Sequence, residues 1–196
     1  MSLHPHPLRV VVVVGNPARP SRTKVLAETA LNAVARRRAV HSQVIELVDI
    51  GPQIGAALSR QNFSEAVEAK LQAIESADLL IVASPVYKGS YTGLFKHLFD
   101  FVGYEALVGK PVLLLATGGS DRHALVVEHQ LRPLFGFFRA ASLPTAVFAS
   151  EAAFDGYQLR SEAVLKRVEA AADEAAAQLD VARLQAMRAE PALAAA

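Results

Sequence analysis

VVVVGNPARPSRTKV (residues 11–25) decides the fold. A run of valines ends at Gly15, and a loop holding Asn16, two prolines, two arginines, Ser21 and Thr23 leads into a helical pattern. A strand that is apolar at every position, rather than at alternate ones, is buried on both faces. The same reading applies to residues 8–14 as a whole and to 44–48, 79–84 and 112–117, with a weaker fifth run at 146–149 after Pro144. Helical spacing fills the gaps. Residues 23–38 place Leu26, Ala30 and Val34 on one face, and 64–77 place Val67, Leu71 and Ile74, with Ser64 as N-cap. Residues 93–102 align Leu94, Leu98, Phe101 and Val102, 122–139 is expected to kink or break at Pro133, and 160–187 is a long alanine-rich helix. This alternation means an α/β fold, a doubly wound parallel sheet with helices on both faces, and a five-stranded sheet of order 2-1-3-4-5 is the expected form of it.

The length, 196 residues, suits one domain, expected over 8–187, with 1–7 (MSLHPHP) as a disordered leader and 188–196 as a frayed tail. Apolar residues make up 52% and charged residues 20%, the balance of a soluble globular chain. A formal charge of +1 gives no nucleic-acid footprint and lacks the acidity of a small electron-shuttle protein. There is no cysteine, which excludes disulfides, thiolate metal sites and thiol nucleophiles, and no metal site is expected. The apolar run at 10–14 is too short for a signal peptide or a membrane span, so a cytoplasmic protein without membrane contact is expected. Arg36, Arg37 and Arg38 read as cations at a helix C-terminus, answering its dipole.

In an open α/β sheet of this order, ligands bind beyond the carboxyl ends of the strands, in the crevice between strands one and three. The most unusual stretches lie at those ends: GNPARPSRT (15–23), SPVYKGSYTG (84–93) and TGGSDRH (117–123). The first runs into a helix N-terminus, where unpaired N–H groups and the dipole favour an anion. Ser21 and Thr23 add hydroxyls, Asn16 an amide, and Arg19 and Arg22 charge, which together make a cradle for a phosphate group. Read without the other loops, the same residues also fit a plain helix cap, Ser21, beside solvated arginines. Neither a three-glycine dinucleotide fingerprint nor a Gly-Lys phosphate loop is present. In the second loop Pro85 fixes φ, and the peptides of Val86, Tyr87 and Lys88 are expected to present N–H donors to the edge of a flat heterocycle packed on Tyr87. Gly118 and Gly119 would admit close approach to the same ring. A phosphate at one end and a planar ring at the other describe a mononucleotide, and a flavin fits better than ATP because no magnesium-binding partner is apparent.

Gly-x-Pro-x-x-Pro-Ser-Arg-Thr (15–23), Ala-Ser-Pro-Val-Tyr-Lys-x-x-Tyr-Thr-Gly (83–93) and Ala-Thr-Gly-Gly-x-x-x-His (116–123) together resemble the motifs of the flavodoxin-like NAD(P)H-dependent FMN reductases. Within that family the chain is most similar to the reductase component of two-component alkanesulfonate and methanesulfonate monooxygenases. The likeness runs over residues 10–148. It implies that Asn16, Ser21, Arg22 and Thr23 hold the FMN phosphate with Arg19 nearby. Pro85, Val86, Tyr87 and Lys88 would border the isoalloxazine, with Thr117, Gly118 and Gly119 on its other side. It further implies NADH or NADPH as hydride donor, a homo-oligomer (dimer or tetramer), and an FMNH2-dependent monooxygenase as partner. The wider family usually carries Ser and Arg where this chain has Asn16 and Ala18. In the sulfonate branch an inserted residue makes a π-bulge in the fourth helix at the subunit interface; HALVVEHQLRP (123–133) resembles that segment, with His129 at the insertion. His129 and His123 are thus candidate flavin-gating residues; His129 also fits an ordinary core or interface histidine, and His123 a residue shaping the helix start.

No nucleophile–His–acid constellation is evident, and none is needed, because hydride transfer from nicotinamide to flavin is carried by the cofactors. Two further readings share the fold. One is a quinone, azo-dye or metal-ion reductase with permanently bound FMN. The other class is non-catalytic, a flavodoxin-type electron carrier or FMN-binding module; the +1 charge argues against the carrier.

Overall fold

β1 (Leu8–Val14) runs through the middle of a parallel sheet in the computed structural model, which describes residues 8–193. On one side lies β2 (Val40–Glu46), with Leu8 opposite Val40; on the other lies β3 (Leu79–Pro85), with Val10 opposite Leu79. β4 (Pro111–Gly118) pairs with β3. Two short pieces share the outermost position, β5 (Ala141–Ser142) and β6 (Val147–Ser150), both parallel to β4. The order is thus the expected 2-1-3-4-5, with the fifth strand broken around Pro144, which has no N–H to give a ladder.

Helices cover both faces. Val10, Val12 and Val14 pack with Leu26, Ala30 and Val34 of α1 (Arg22–Ala35) and with Ala171, Ala175 and Leu179 of α6 (Glu162–Leu193). Val11 and Val13 turn to the opposite layer, formed by α2 (Leu47–Ala56), α3 (Glu65–Ser76), α4 (Gly93–Asp100) and α5 (Arg132–Phe137). This two-sided burial is why the strands carry no polar alternation. Ser64 caps α3 as expected, its hydroxyl accepting from Val67 N–H at 3.4 Å.

Several elements differ from the sequence reading. The second strand occupies 40–46 rather than 44–48, because an edge strand exposed over most of its length needs no apolar run. Leu47 and Val48 instead open α2, a helix that was not anticipated. Gly51, Pro52 and Gly55 disguise it, yet Leu47, Ile50, Gly51 and Ile54 form a buried helical stripe. Gly51 has a packing reason, since a Cβ there would lie 3.3 Å from Leu94 Cδ1 of α4.

The segment 122–139 is three pieces: a 3₁₀ turn at Asp121–His123, a π-helical turn at Val127–Leu131, and α5, with Pro133 in its first turn. Arg36, Arg37 and Arg38 follow the C-terminus of α1 as expected, with Arg37 Nη1 donating to Ala33 O of its last turn at 2.9 Å, and they also reach a second helix. They lie past the end of α1 and pair with Glu169, Asp173 and Asp180 of α6, with Arg37 Nε 2.6 Å from Asp173. A small hairpin, β7 (Phe154–Asp155) and β8 (Gln158–Leu159), also unforeseen, precedes α6. The tail expected from 188 is helical backbone as far as Leu193; residues 1–7 and 194–196 lie outside the described residues. Among the described residues no helix is long and apolar enough to cross a membrane.

Candidate functional site

The carboxyl ends of β1, β3 and β4 lie side by side, and the loops leaving them meet in one cleft of about 250 Å³. Gly15 opens the first loop with its N–H bonded to Ala83 O at 2.7 Å. No side chain fits there: a Cβ would sit 2.8 Å from Phe95 Cδ2 and 3.1 Å from Ala83 O. Buried Thr92 locks the arrangement from the other side. Its hydroxyl donates to Gly15 O at 2.8 Å and accepts from Phe95 N–H at 3.2 Å, so one side chain caps α4 and fixes the exit of β1.

The loop then turns through a cis Arg19–Pro20 peptide into α1. Ser21 is the N-cap, its oxygen accepting from Lys24 N–H at 3.1 Å, which leaves the hydroxyl proton free to donate. Val25 N–H reaches Ser21 O, while the N–H groups of Arg22 and Thr23 have no partner among the described residues. Thr23 is buried, and its hydroxyl meets that of Thr117 at 2.6 Å, joining the first loop to the end of β4. The Asn16 amide is turned onto Ala18 O.

The nearby cations are all paired with carboxylates. Arg19 forks onto Glu46, with its Nη2 2.7 Å from Oε1, and also reaches Asp49 at 2.9 Å; it does not line the cleft. Lys24 bonds the same Glu46 oxygen at 2.8 Å. Arg19 first, then Lys24, hold the Glu46 carboxyl below its ordinary pKa, and Glu46 in turn raises both bases. Arg22 does line the cleft, but its Nη1 lies 2.7 Å from Glu151 and its Nε donates to Gly156 O at 2.8 Å. An anion at the start of α1 is therefore met mainly by neutral donors.

The loop after β3 is a tight reversal. Tyr87 and Ser90 exchange backbone bonds, and Lys88 (φ 52°) and Gly89 (φ 83°) take the two left-handed positions of a type I′ turn. The N–H groups of Val86 and Tyr87 are thus not outward donors as expected: Val86 donates to Thr117 O and Tyr87 to Ser90 O. Pro85, Val86 and Tyr87 line the cleft, and the Tyr87 ring is half exposed; Lys88, at the turn's tip, does not line it.

Thr117, Gly118 and Gly119, beside Pro85 and Val86 at the end of β4, also line the cleft. A Cβ on Gly118 would meet Phe148 Cζ at 3.0 Å, so this glycine serves packing, whereas the space beside Gly119 is open. His123 is exposed in the 3₁₀ turn and packs behind Gly118. His129 is exposed within the π-helical turn, which excludes a core histidine, and neither histidine lines the cleft. The turn still touches the site's scaffold, because the next residue, Gln130, accepts from Ser90 Oγ at 3.0 Å.

Asn16, Ser21, Arg22 and Thr23 are thus brought together with Pro85, Val86, Tyr87, Thr117, Gly118 and Gly119. Pro20, Ala149, Glu151, Phe154 and Tyr157 complete the cleft and escaped the sequence reading. The available signal was positional: Ala149 ends the fifth strand, and loops after strand ends in such a sheet form the site.

The sequence pattern of the NADPH-dependent FMN reductases matches residues 8–155. An NADH-dependent FMN reductase, SfnF, of Pseudomonas fluorescens (strain Pf0-1) is 56% identical over 170 residues, 87% of this chain and 91% of that protein. An NADPH-dependent FMN reductase of Pseudomonas aeruginosa is 53% identical over 170 residues, again 87% and 91% of the two chains. Among solved structures, an oxidoreductase of Corynebacterium diphtheriae superposes with a TM-score of 0.82 at 36% identity, covering 89% of this chain and 98% of that one.

Proposed function

This chain belongs to the NADPH-dependent FMN reductase family, and we propose from that premise that it treats FMN as an exchanging substrate and supplies reduced FMN to a sulfonate monooxygenase. The activity itself, NAD(P)H-dependent reduction of FMN, is that of the family and of its near relatives. One observation carries the finer reading: the cations beside the start of α1 are already neutralised by Glu46, Asp49 and Glu151. The phosphate would be held by the Arg22 and Thr23 N–H groups, the Ser21 hydroxyl and the helix dipole, with Asn16 alongside. Such a cradle selects a dianion without clamping it.

The flavin, when bound, accepts hydride from the nicotinamide; the chain's own task is to align the two rings and exclude water. Val86 and Tyr87 form one wall of the ring site and Gly119 leaves room beside it, with Pro85, Thr117 and Gly118 behind and Lys88 at the rim. Arg19 acts indirectly, fixing the loop through Glu46 and Asp49. His129, in the π-helical turn, and His123 would influence flavin exchange through the Gln130–Ser90 bond and the Gly118 wall respectively. The sulfonate partner rests on the motif resemblance alone. We place the protein in the cytoplasm as a dimer or tetramer, its contact face including the exposed Tyr104 and Phe137, whose rings lie 5.0 Å apart.

The test is a Ser21→Ala variant, which removes the one side-chain hydroxyl of the cradle, assayed with FMN and with riboflavin, which lacks the phosphate. The KM for FMN should rise about tenfold to a hundredfold more than that for riboflavin, because bonds to charged groups are lost only with FMN. Equal rises would move the phosphate out of this loop.

A further inference from the structure

Arg22 is caught in a clasp built from the far end of the chain. Glu151 opens a 3₁₀ turn, Glu151–Ala153, just past β6, and takes Arg22 Nη1 at 2.7 Å. Gly156 O, in the turn between β7 and β8, takes Nε at 2.8 Å, and the Tyr157 ring centre lies 5.4 Å from the guanidinium carbon. Glu151 and Tyr157 line the same cleft as Ser21 and Thr23, so a carboxylate borders the cleft that an incoming phosphate would enter.

We infer that Glu151 is a specificity-determining residue, whose carboxylate competes with the FMN phosphate for Arg22 and so sets both how loosely FMN is held and how far FMN is preferred over riboflavin. The inference rests on the proposed phosphate cradle at the start of α1. Two arrangements of the bound state are possible, and both oppose the anion. If Arg22 keeps Glu151, the phosphate meets a neutralised pair with a carboxylate nearby. If Arg22 turns to the phosphate, Glu151 loses its counterion and the hold on Gly156 is broken. Each cost scales with phosphate charge, so riboflavin escapes it. A purely structural role explains less, because the pair is open to solvent on both sides, where an ion pair contributes little to folding.

The experiment measures Kd for FMN and for riboflavin by flavin-fluorescence quenching, in the native protein and in E151Q, whose amide oxygen still accepts from Arg22. E151A serves as a second variant, and urea unfolding verifies that each is folded. FMN should bind about threefold to tenfold more tightly to E151Q, with riboflavin changed by less than about twofold. An FMN Kd that is unchanged or raised overturns the inference, as does equal tightening of both flavins. Failure of the underlying cradle has a separate signature: the native protein would bind FMN and riboflavin equally well.

Discussion

Glu46 is where the cations of the first loop converge. It ends β2, is nearly buried, and accepts from both Arg19 and Lys24, which keep its carboxyl ionised below the usual range. A carboxylate whose folded pKa is depressed contributes stability that is fully present above its unfolded value, near 4.3, and that is lost as pH falls through the folded one. Glu46→Gln should therefore cost about 1 kcal/mol at pH 7, and the gap to the native protein should close progressively below about pH 4. Urea unfolding at pH 7 and pH 3 measures this; a gap of equal size at both would show that packing, not charge, is at stake. At this scale the sequence exposed donors better than partners. Ser21, Thr23 and Tyr87 were legible because hydroxyls and an aromatic ring after strand ends are conspicuous. The fates of Arg19 and Arg22 were not, since Glu46 lies 27 residues from Arg19 and Glu151 lies 129 residues from Arg22.

Elements join the site through caps as much as through packing. Thr92 is the clearest case, because α4 begins and β1 ends on one buried hydroxyl. Thr92→Ala removes the N-cap of α4 and leaves Gly15 O without that donor, a loss of about 2 kcal/mol, whereas Thr92→Ser should cost well under half as much. Equilibrium unfolding of the two variants checks the hydroxyl's role; equal losses would assign the effect to the methyl group instead. Central strands and capped helices were legible because burial on both faces and Ser64-type caps act within a few residues. The edge strand and α2 were not. β2 is specified by pairing with β1 rather than by its own hydrophobicity, and Gly51 answers Leu94 of another helix. The π-helical turn at Val127–Leu131 became readable only through a resemblance, since one extra residue in a helix leaves little local trace.

At the scale of the molecule, the two layers are closed differently. The α1–α6 side combines alanine-lined packing with the Arg36, Arg37 and Arg38 pairs to α6, leaving that face charged and sealed. The opposite side ends in exposed rings: Tyr104 is 72% and Phe137 56% exposed, and they meet edge to face. A stable interface covers roughly 800 Å² per partner around a few aromatic anchors, and two adjoining rings supply such a centre. If that face joins copies of the chain, Phe137→Asp sets a charge into the contact at a position that is itself exposed, beside buried Phe138. Light scattering should then report a smaller particle than the native protein at the same micromolar concentration, while circular dichroism and the thermal midpoint stay nearly unchanged. An unaltered mass would place the contact elsewhere, and a collapse of the thermal midpoint would mean that Phe137 supports α5 rather than an assembly. Because Ser90 ties the turn after β3 to Gln130 in the π-helical turn, and that turn leads directly into α5, dissociation should also shift the KM for FMN more than an equally exposed charge placed on α6. That pairing of mass and KM in one variant separates an interface that shapes the candidate cleft from one that merely adds copies.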